Sequence, residues 1–341
     1  MRILPAAGAL ALALGIVLAP SQAFARPTAI GQLPTKADTR SWTVEGMVTA
    51  DLRSSVGGVL LQDAGDGNRE SPDVVFVRTD TAAPLAAGTW LRVQGQLMPS
   101  NDPDAPAATV LRAEQVEPLQ GREALSPVLL SVPPAHWRAL RGAWVRIEAP
   151  LTLTATDRLQ RHGELGAAFD GRLWQPSEVA VPGSAGHEQV TADNRQRGLR
   201  LRAGTGADLL PHAATLRTGM QLTGIEGIVA YRENAGVRLD VTRPLEIPAV
   251  QRPAAPRVKG AVKIAAFNLE NYFNGDGHGG GFPTPRGART LVEHQAQTAK
   301  LVAAITGLDS DVAALMELEN DGFDASSSIA ELVAALNAAR G

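Results

Sequence analysis

Two apolar runs near the C-terminus end in side chains suited to chemistry. Residues 262–267 (VKIAAF) lead into Asn268, and residues 311–316 (DVAALM) lead into Glu317-Leu318-Glu319. A carboxylate where a buried strand emerges can hold a hard cation, because Mg2+ needs only one or two protein carboxylates and keeps several waters. Open α/β sheets place ligand groups at such strand ends. The Asn268 amide offers a donor and an acceptor without added charge. Glu319 shares a face with Glu317 if the strand continues, which makes it a weaker metal candidate. A solvated strand-end carboxylate and a turn-forming asparagine explain the same spacing, and position alone favours that plainer reading.

The elements that must carry these residues follow from periodicity. Strand 262–267 precedes a glycine-rich loop at 274–287. Residues 290–306 predict a helix with Leu291, Thr298, Leu301, Val302 and Ile305 on one face and Gly307 as its C-cap. Strand 311–316 comes next, and Ser328 with Glu331 predicts a capping box opening a helix striped by Ile329, Leu332, Val333 and Leu336. The order is β-loop-α-β-α. Asn274, Asp276 and His278 alternate in the loop, and Asp63, Asp66 and Asn68 cluster in an earlier one. Ca2+ suits either group, but neither has the rest of a calcium loop, and a glycine-rich turn is the preferred reading. The six histidines, at 136, 162, 187, 212, 278 and 294, read as ordinary surface or core residues.

Upstream the chain is β-rich. Alternating or apolar runs at Trp42–Val48, 57–63, 73–79, 89–98 and 108–119 predict five strands. In the fourth, Leu91, Val93, Gly95 and Leu97 face one way and Arg92, Gln94 and Gln96 the other. Five strands with one buried face predict a small closed, OB-like barrel over 26–120. A second β-rich unit over 121–250 includes runs at 143–156, 197–204, 220–233 and 236–242, with 176–194 expected as a loop. Arg200 and Arg202 would share a strand face there. A phosphate-contacting stripe would release counterions from nucleic acid, whereas the plainer reading is solubilising charge. Residues 26–258 carry 25 basic and 25 acidic side chains, which favours the plainer reading. Residues 248–258 (PAVQRPAAPRV) predict a Pro/Ala linker, since three prolines cannot sustain a helix or central strand.

Composition narrows the classes. With no cysteine among 341 residues, disulfides, Cys-ligated zinc and thiol nucleophiles are excluded, and a net charge of −3 gives no global field for nucleic acid. Arg2, the apolar run 6–18 and Ala23-Phe24-Ala25 predict a signal peptide over 1–25 and export to the periplasm or medium. The run is too short for the ~20 residues of a span, so no membrane span is expected after cleavage. Nothing in the sequence points to a protein partner.

VKIAAFNLENYF resembles the first motif of the endonuclease/exonuclease/phosphatase superfamily, and VAALMELEN resembles its second, a strand ending in the metal-binding glutamate. FNLENYFN, RGA (286–288), the helix with Gln295 and Lys300, and LMELEN together resemble secreted bacterial nucleases of the ExeM/NucH type, as does 158–183 upstream. The resemblance implies a multidomain chain: two β-rich OB-like units, a linker at 251–258, and the opening β-α-β-α of an α/β four-layer sandwich over 259–341. It implies an exported endonuclease hydrolysing phosphodiester bonds of DNA or RNA. Glu317 is then the ligand for Mg2+ or Mn2+, and Asn268 supports the metal or the scissile phosphate. The GDxN and SDH-like motifs expected later are absent, and Gly65-Asp66-Gly67-Asn68 stands too early to serve. The resemblance therefore implies a truncated chain that is inactive alone. A phosphatase or lipid phosphodiesterase is the rival within the superfamily. A secreted non-enzymatic β module binding nucleic acid or glycan is the rival outside it.

Overall fold

The computed structural model describes residues 24–34, 36–65, 73–99, 105–203, 216–232, 235–246, 254–255 and 257–340. Nearly all of the expected signal segment, residues Asp66 and Asn68, and most of the linker lie outside the described residues. The chain divides into two compact units, 1–250 and 251–341, with the boundary inside the expected linker.

The first unit begins with strands β1 (Asp38–Asp51), β2 (Gly58–Gln62), β3 (Val74–Arg78), β4 (Trp90–Met98) and β5 (Thr109–Leu119), with the short helix α1 (Arg53–Val56) between β1 and β2. They close into a barrel in the order β1-β2-β3-β5-β4, and each expected strand is present. Strand β4 alternates as its sequence dictates, with Leu91, Val93, Gly95 and Leu97 buried. At Gly95 the register shifts against β5, and a Cβ there would lie 2.1 Å from the Arg112 carbonyl oxygen. Only glycine admits that approach.

Strands β6 (Val128–Leu130), β7 (Trp144–Ile147), β8 (Leu151–Ala155), β9 (Glu164–Ala168), β10 (Gly198–Ala203), β11 (Gln221–Leu222), β12 (Ile225–Arg232) and β13 (Gly236–Val241) form one sheet in the order β11-β8-β9-β10-β13-β12-β7-β6. Helices α2 (Leu159–His162), α3 (Pro176–Val179) and α4 (Ala185–Arg197) are inserted among them. The barrel and this sheet share a core. Leu60, Val74, Phe76 and Val110 pack with Val145, Leu153, Leu165 and Leu239, while Val59, Leu61, Val75 and Val77 fill the barrel interior. Strands β2 and β3 are thus buried on both faces. That is why GVLL and VVFV read as continuous apolar runs and not as alternations. Gln62 Oε1 accepts from the Trp144 amide at 2.8 Å, satisfying a backbone donor across the junction.

The expected loop at 176–194 is instead largely helical. Ser184 caps α4 by accepting from the His187 amide at 3.3 Å, and Arg197 pairs with Asp193 one turn away. None of its residues is buried. A helix polar all round has no apolar period to betray it.

The second unit is β14 (Ile264–Tyr272), α5 (Leu291–Leu308), β15 (Val312–Leu318) and α6 (Ser328–Arg340), in the expected β-α-β-α order. Strands β14 and β15 pair in parallel. Leu269, Tyr272, Leu301, Ile305 and Leu332 form its buried core, with Phe267, Leu315, Leu318 and Leu336 against them. The opposite sheet face carries exposed Ile264, Val312 and Met316. Two helix ends differ from expectation. Helix α5 continues through Gly307 to Leu308, and Asp309 provides the left-handed C-cap, its carboxylate paired with Lys263. The expected Ser328/Glu331 capping box does not form. Ser327 Oγ accepts from the Ala330 amide at 3.3 Å, because Ser328 Oγ is turned to Glu319 and Glu331 to His294. Among the described residues no helix is long and apolar enough to cross a membrane.

Candidate functional site

Asn268 and Glu317 meet on the exposed face of the β14–β15 pair; β14, expected from the sequence to end at Asn268, continues to Tyr272. In register, Asn268 lies opposite Met316 and Tyr272 opposite Leu318, so β14 fits extra residues into this stretch. The surplus is taken up by Glu270 and Asn271, both left-handed at φ 59° and 56°. Glu317 is left-handed too, at φ 58°. For a glutamate this backbone costs about 1–2 kcal/mol. Bulges and held strain of this kind gather where side chains must be re-aimed.

A chain of hydrogen bonds fixes the pair. From α5, Gln297 Nε2 donates to the Leu269 carbonyl at 2.9 Å and the Glu270 carbonyl at 3.1 Å, clamping the bulge. The Glu270 amide donates to Asn268 Oδ1 at 2.7 Å, and Asn268 Nδ2 donates to Glu317 Oε1 at 2.8 Å. The reverse amide orientation would set donor against donor and acceptor against carboxylate, so the network determines it. Both side chains are exposed. A carboxylate aimed at solvent and held through one oxygen suits a hard cation whose shell is completed by water. Among the described residues no group of three or more His, Asp or Glu converges, so a cage made wholly of protein ligands is not offered.

Glu319, the weaker metal candidate, has its own partners. It follows the last residue of β15, and its Oε2 accepts from Ser328 Oγ at 3.0 Å and from the Asn274 amide at 3.2 Å. That carboxylate fastens the glycine-rich loop to α6. In the loop itself, Asp276 Oδ1 accepts from the His278 and Gly280 amides, both at 2.8 Å, and these bonds hold its carboxyl below the usual range. Asn274 is buried and donates to the Ser326 carbonyl at 2.9 Å. Asn274 and Asp276 thus build the turn. Gly287 of the RGA segment packs on the bulge, where a Cβ would lie 2.6 Å from the Asn271 carbonyl oxygen.

His294 is a core residue, 2% exposed, with Nε2 2.9 Å from Glu331 Oε1 and its ring 4.8 Å from that of Tyr272. Burial raises the Tyr272 hydroxyl to about 12, opposed by its hydrogen bond with Thr298 Oγ1 at 2.9 Å. A folded-state value above the ordinary one of about 10 means the neutral phenol is favoured by folding. Its stabilisation is complete below pH 10 and is lost as pH rises through 12. Urea titrations of the second unit between pH 9 and 12 are expected to lose roughly 2–3 kcal/mol by this route. Tyr272→Phe is expected to remove that slope, and an unchanged slope would rule the assignment out.

Arg200 and Arg202 lie on β10 between β9 and β13. Arg200 is in register with Gly166 and Arg238, and Arg202 with Glu164 and Asp240. Asp240 in turn pairs with Arg238 at 2.8 Å and Glu164 with Arg158 at 2.9 Å. Acids are therefore interleaved with the arginines on this face.

Gln297 was not singled out by the sequence. Its signal was an amide lying between His294 and Leu301 on the helix face that meets the sheet. No protein-family model matches the chain, and no curated protein matches it.

Proposed function

We propose that the second unit belongs to a metal-dependent phosphodiester hydrolase of the endonuclease/exonuclease/phosphatase kind, exported as an extracellular nuclease behind an OB-like barrel. The observation that carries this reading is the Asn268–Glu317 hydrogen bond beside the left-handed residues Glu270, Asn271 and Glu317. Glu317 would hold Mg2+ or Mn2+, and a bound divalent cation supplies charge neutralisation at the phosphate and the leaving oxygen. Asn268 orients the carboxylate and offers its amide edge to the phosphate. Gln297 keeps the bulge, and through it Asn268, in place. Such outer partners commonly contribute about 10–100-fold in metal affinity.

Hydrolysis also needs a base to deprotonate water. Among the described residues of the second unit, His294 is enclosed in the core and His278 lies in the glycine-rich loop. Cleavage of plasmid DNA in Mg2+ or Mn2+, compared between the wild-type chain and Glu317→Ala, tests the reading. Robust metal-dependent cleavage by the wild-type chain that Glu317→Ala abolishes is the expected result, and no metal-dependent cleavage would count against the hydrolase. Robust cleavage that survives Glu317→Ala would refute the site.

A further inference from the structure

The barrel carries an open cleft of about 870 Å³ between the β1–β2 connection and the ends of β3 and β5. Arg53, Arg78 and Arg112 line it together with Asp51, Asp80 and Thr79. These arginines are not equivalent. Arg53 is locked, donating to both Asp51 oxygens at 2.9 and 2.6 Å and to the Thr81 and Ala83 carbonyls at 2.6 and 2.8 Å. It neutralises Asp51 and braces the wall, as does the Thr79 amide bonding the Gly57 carbonyl.

Arg78 and Arg112 stand directly opposite each other in the parallel β3–β5 register, so they share a face. Both are exposed. Among the described residues, Arg78 has no ion pair, and Arg112 has only the neutral Gln96 amide oxygen at 3.4 Å. Like charges directly opposite on neighbouring strands are destabilising. Asp51, on the same wall, is taken up by Arg53, and among the described residues Asp80 is the one other acid lining the open cleft, so the three arginines leave it a net positive charge. Arg202 by comparison stands directly opposite Glu164 and Asp240 in its strand register, whereas Arg112 stands opposite Arg78.

We infer that this cleft binds a phosphate group of a nucleic-acid strand or nucleotide, held between the Arg78 and Arg112 guanidiniums. Two planar forks on adjacent strands match the tetrahedral oxygens of one phosphate or of two successive ones. The volume lies within the range of small-ligand pockets. The Thr79 and Ser54 hydroxyls on the walls can complete the oxygen contacts. Binding would also relieve the cation–cation repulsion, which gives the arginine pair a reason to face one another. This site is independent of Glu317 and of any hydrolysis.

The test is fluorescence anisotropy of a labelled oligothymidylate of about twelve residues, in about 20 mM salt with EDTA, so that metal at Glu317 takes no part. The wild-type chain is expected to bind, and Arg78→Gln with Arg112→Gln to weaken binding at least about tenfold with thermal unfolding no lower than that of the wild type. The slope of log affinity against log salt should fall by about 1.4, at roughly 0.7 for each cation lost. Displacement by thymidine monophosphate would assign the cleft to a terminal phosphate. Binding that the monophosphate leaves intact would assign it to the strand's phosphodiesters. No binding of either by the wild-type chain overturns the inference. So does equal affinity and salt slope in the double variant, including the case where Arg200→Gln with Arg202→Gln removes binding instead.

Discussion

Replacing Leu332 by alanine is expected to unfold the C-terminal unit while the barrel and the eight-stranded sheet stay folded. Leu332 is fully buried in an apolar core that, among the described residues, has five buried members. Cutting back such a side chain costs about 2–5 kcal/mol, the transfer loss plus the cavity. A unit of this length holds roughly 4–13 kcal/mol in total, and one sheet face here is uncovered. The substitution therefore removes much of what the unit has. Two transitions should be seen in urea, with only the C-terminal one moved, and protease should cut first beyond the 248–258 segment. A shift below about 1 kcal/mol in that transition would contradict the packing described.

The second large effect is expected at Glu317, where stability and metal affinity should move in opposite directions. Glycine adopts φ near +58° without the strain that glutamate or alanine carries there. Glu317→Gly should thus be more stable than Glu317→Ala by about 1 kcal/mol, the strain relief less the entropy glycine brings to the unfolded chain. Both should lose divalent-cation binding, since each removes the carboxylate that Asn268 positions. If Glu317→Gly were the less stable of the two, the left-handed backbone would not be a source of strain.

The legible parts of this fold were those where one face is wet and the other dry. Strand β4 and the run Val237, Leu239, Val241 alternate because their polar partners meet solvent. The continuous runs in β2 and β3 gave away strands but not their second burial, because a doubly buried strand has no alternation to show which elements cover it. Helix α4 was invisible for the opposite reason, having no buried face. Asn268 and Glu317 were legible as the polar residues that close the two apolar runs, but the strands themselves continue past them, β14 to Tyr272 and β15 to Leu318. The bulge that aims them was not, because Glu270 and Asn271 are ordinary residues forced left-handed by the pairing of β14 with β15. Ser327 capped α6 in place of Ser328 for a similarly non-local reason, the demand of Glu319 for the neighbouring hydroxyl.

Direct titration of the chain with Mn2+, followed by the loss of the free ion's magnetic resonance signal, tests the central claim that Glu317 and Asn268 form a metal site. The wild-type chain should bind one ion. Glu317→Ala should abolish that binding, and Asn268→Ala should weaken it by about 10–100-fold while its thermal unfolding stays close to wild type. Binding of equal strength in wild type and Glu317→Ala, or none in the wild type, would contradict the account.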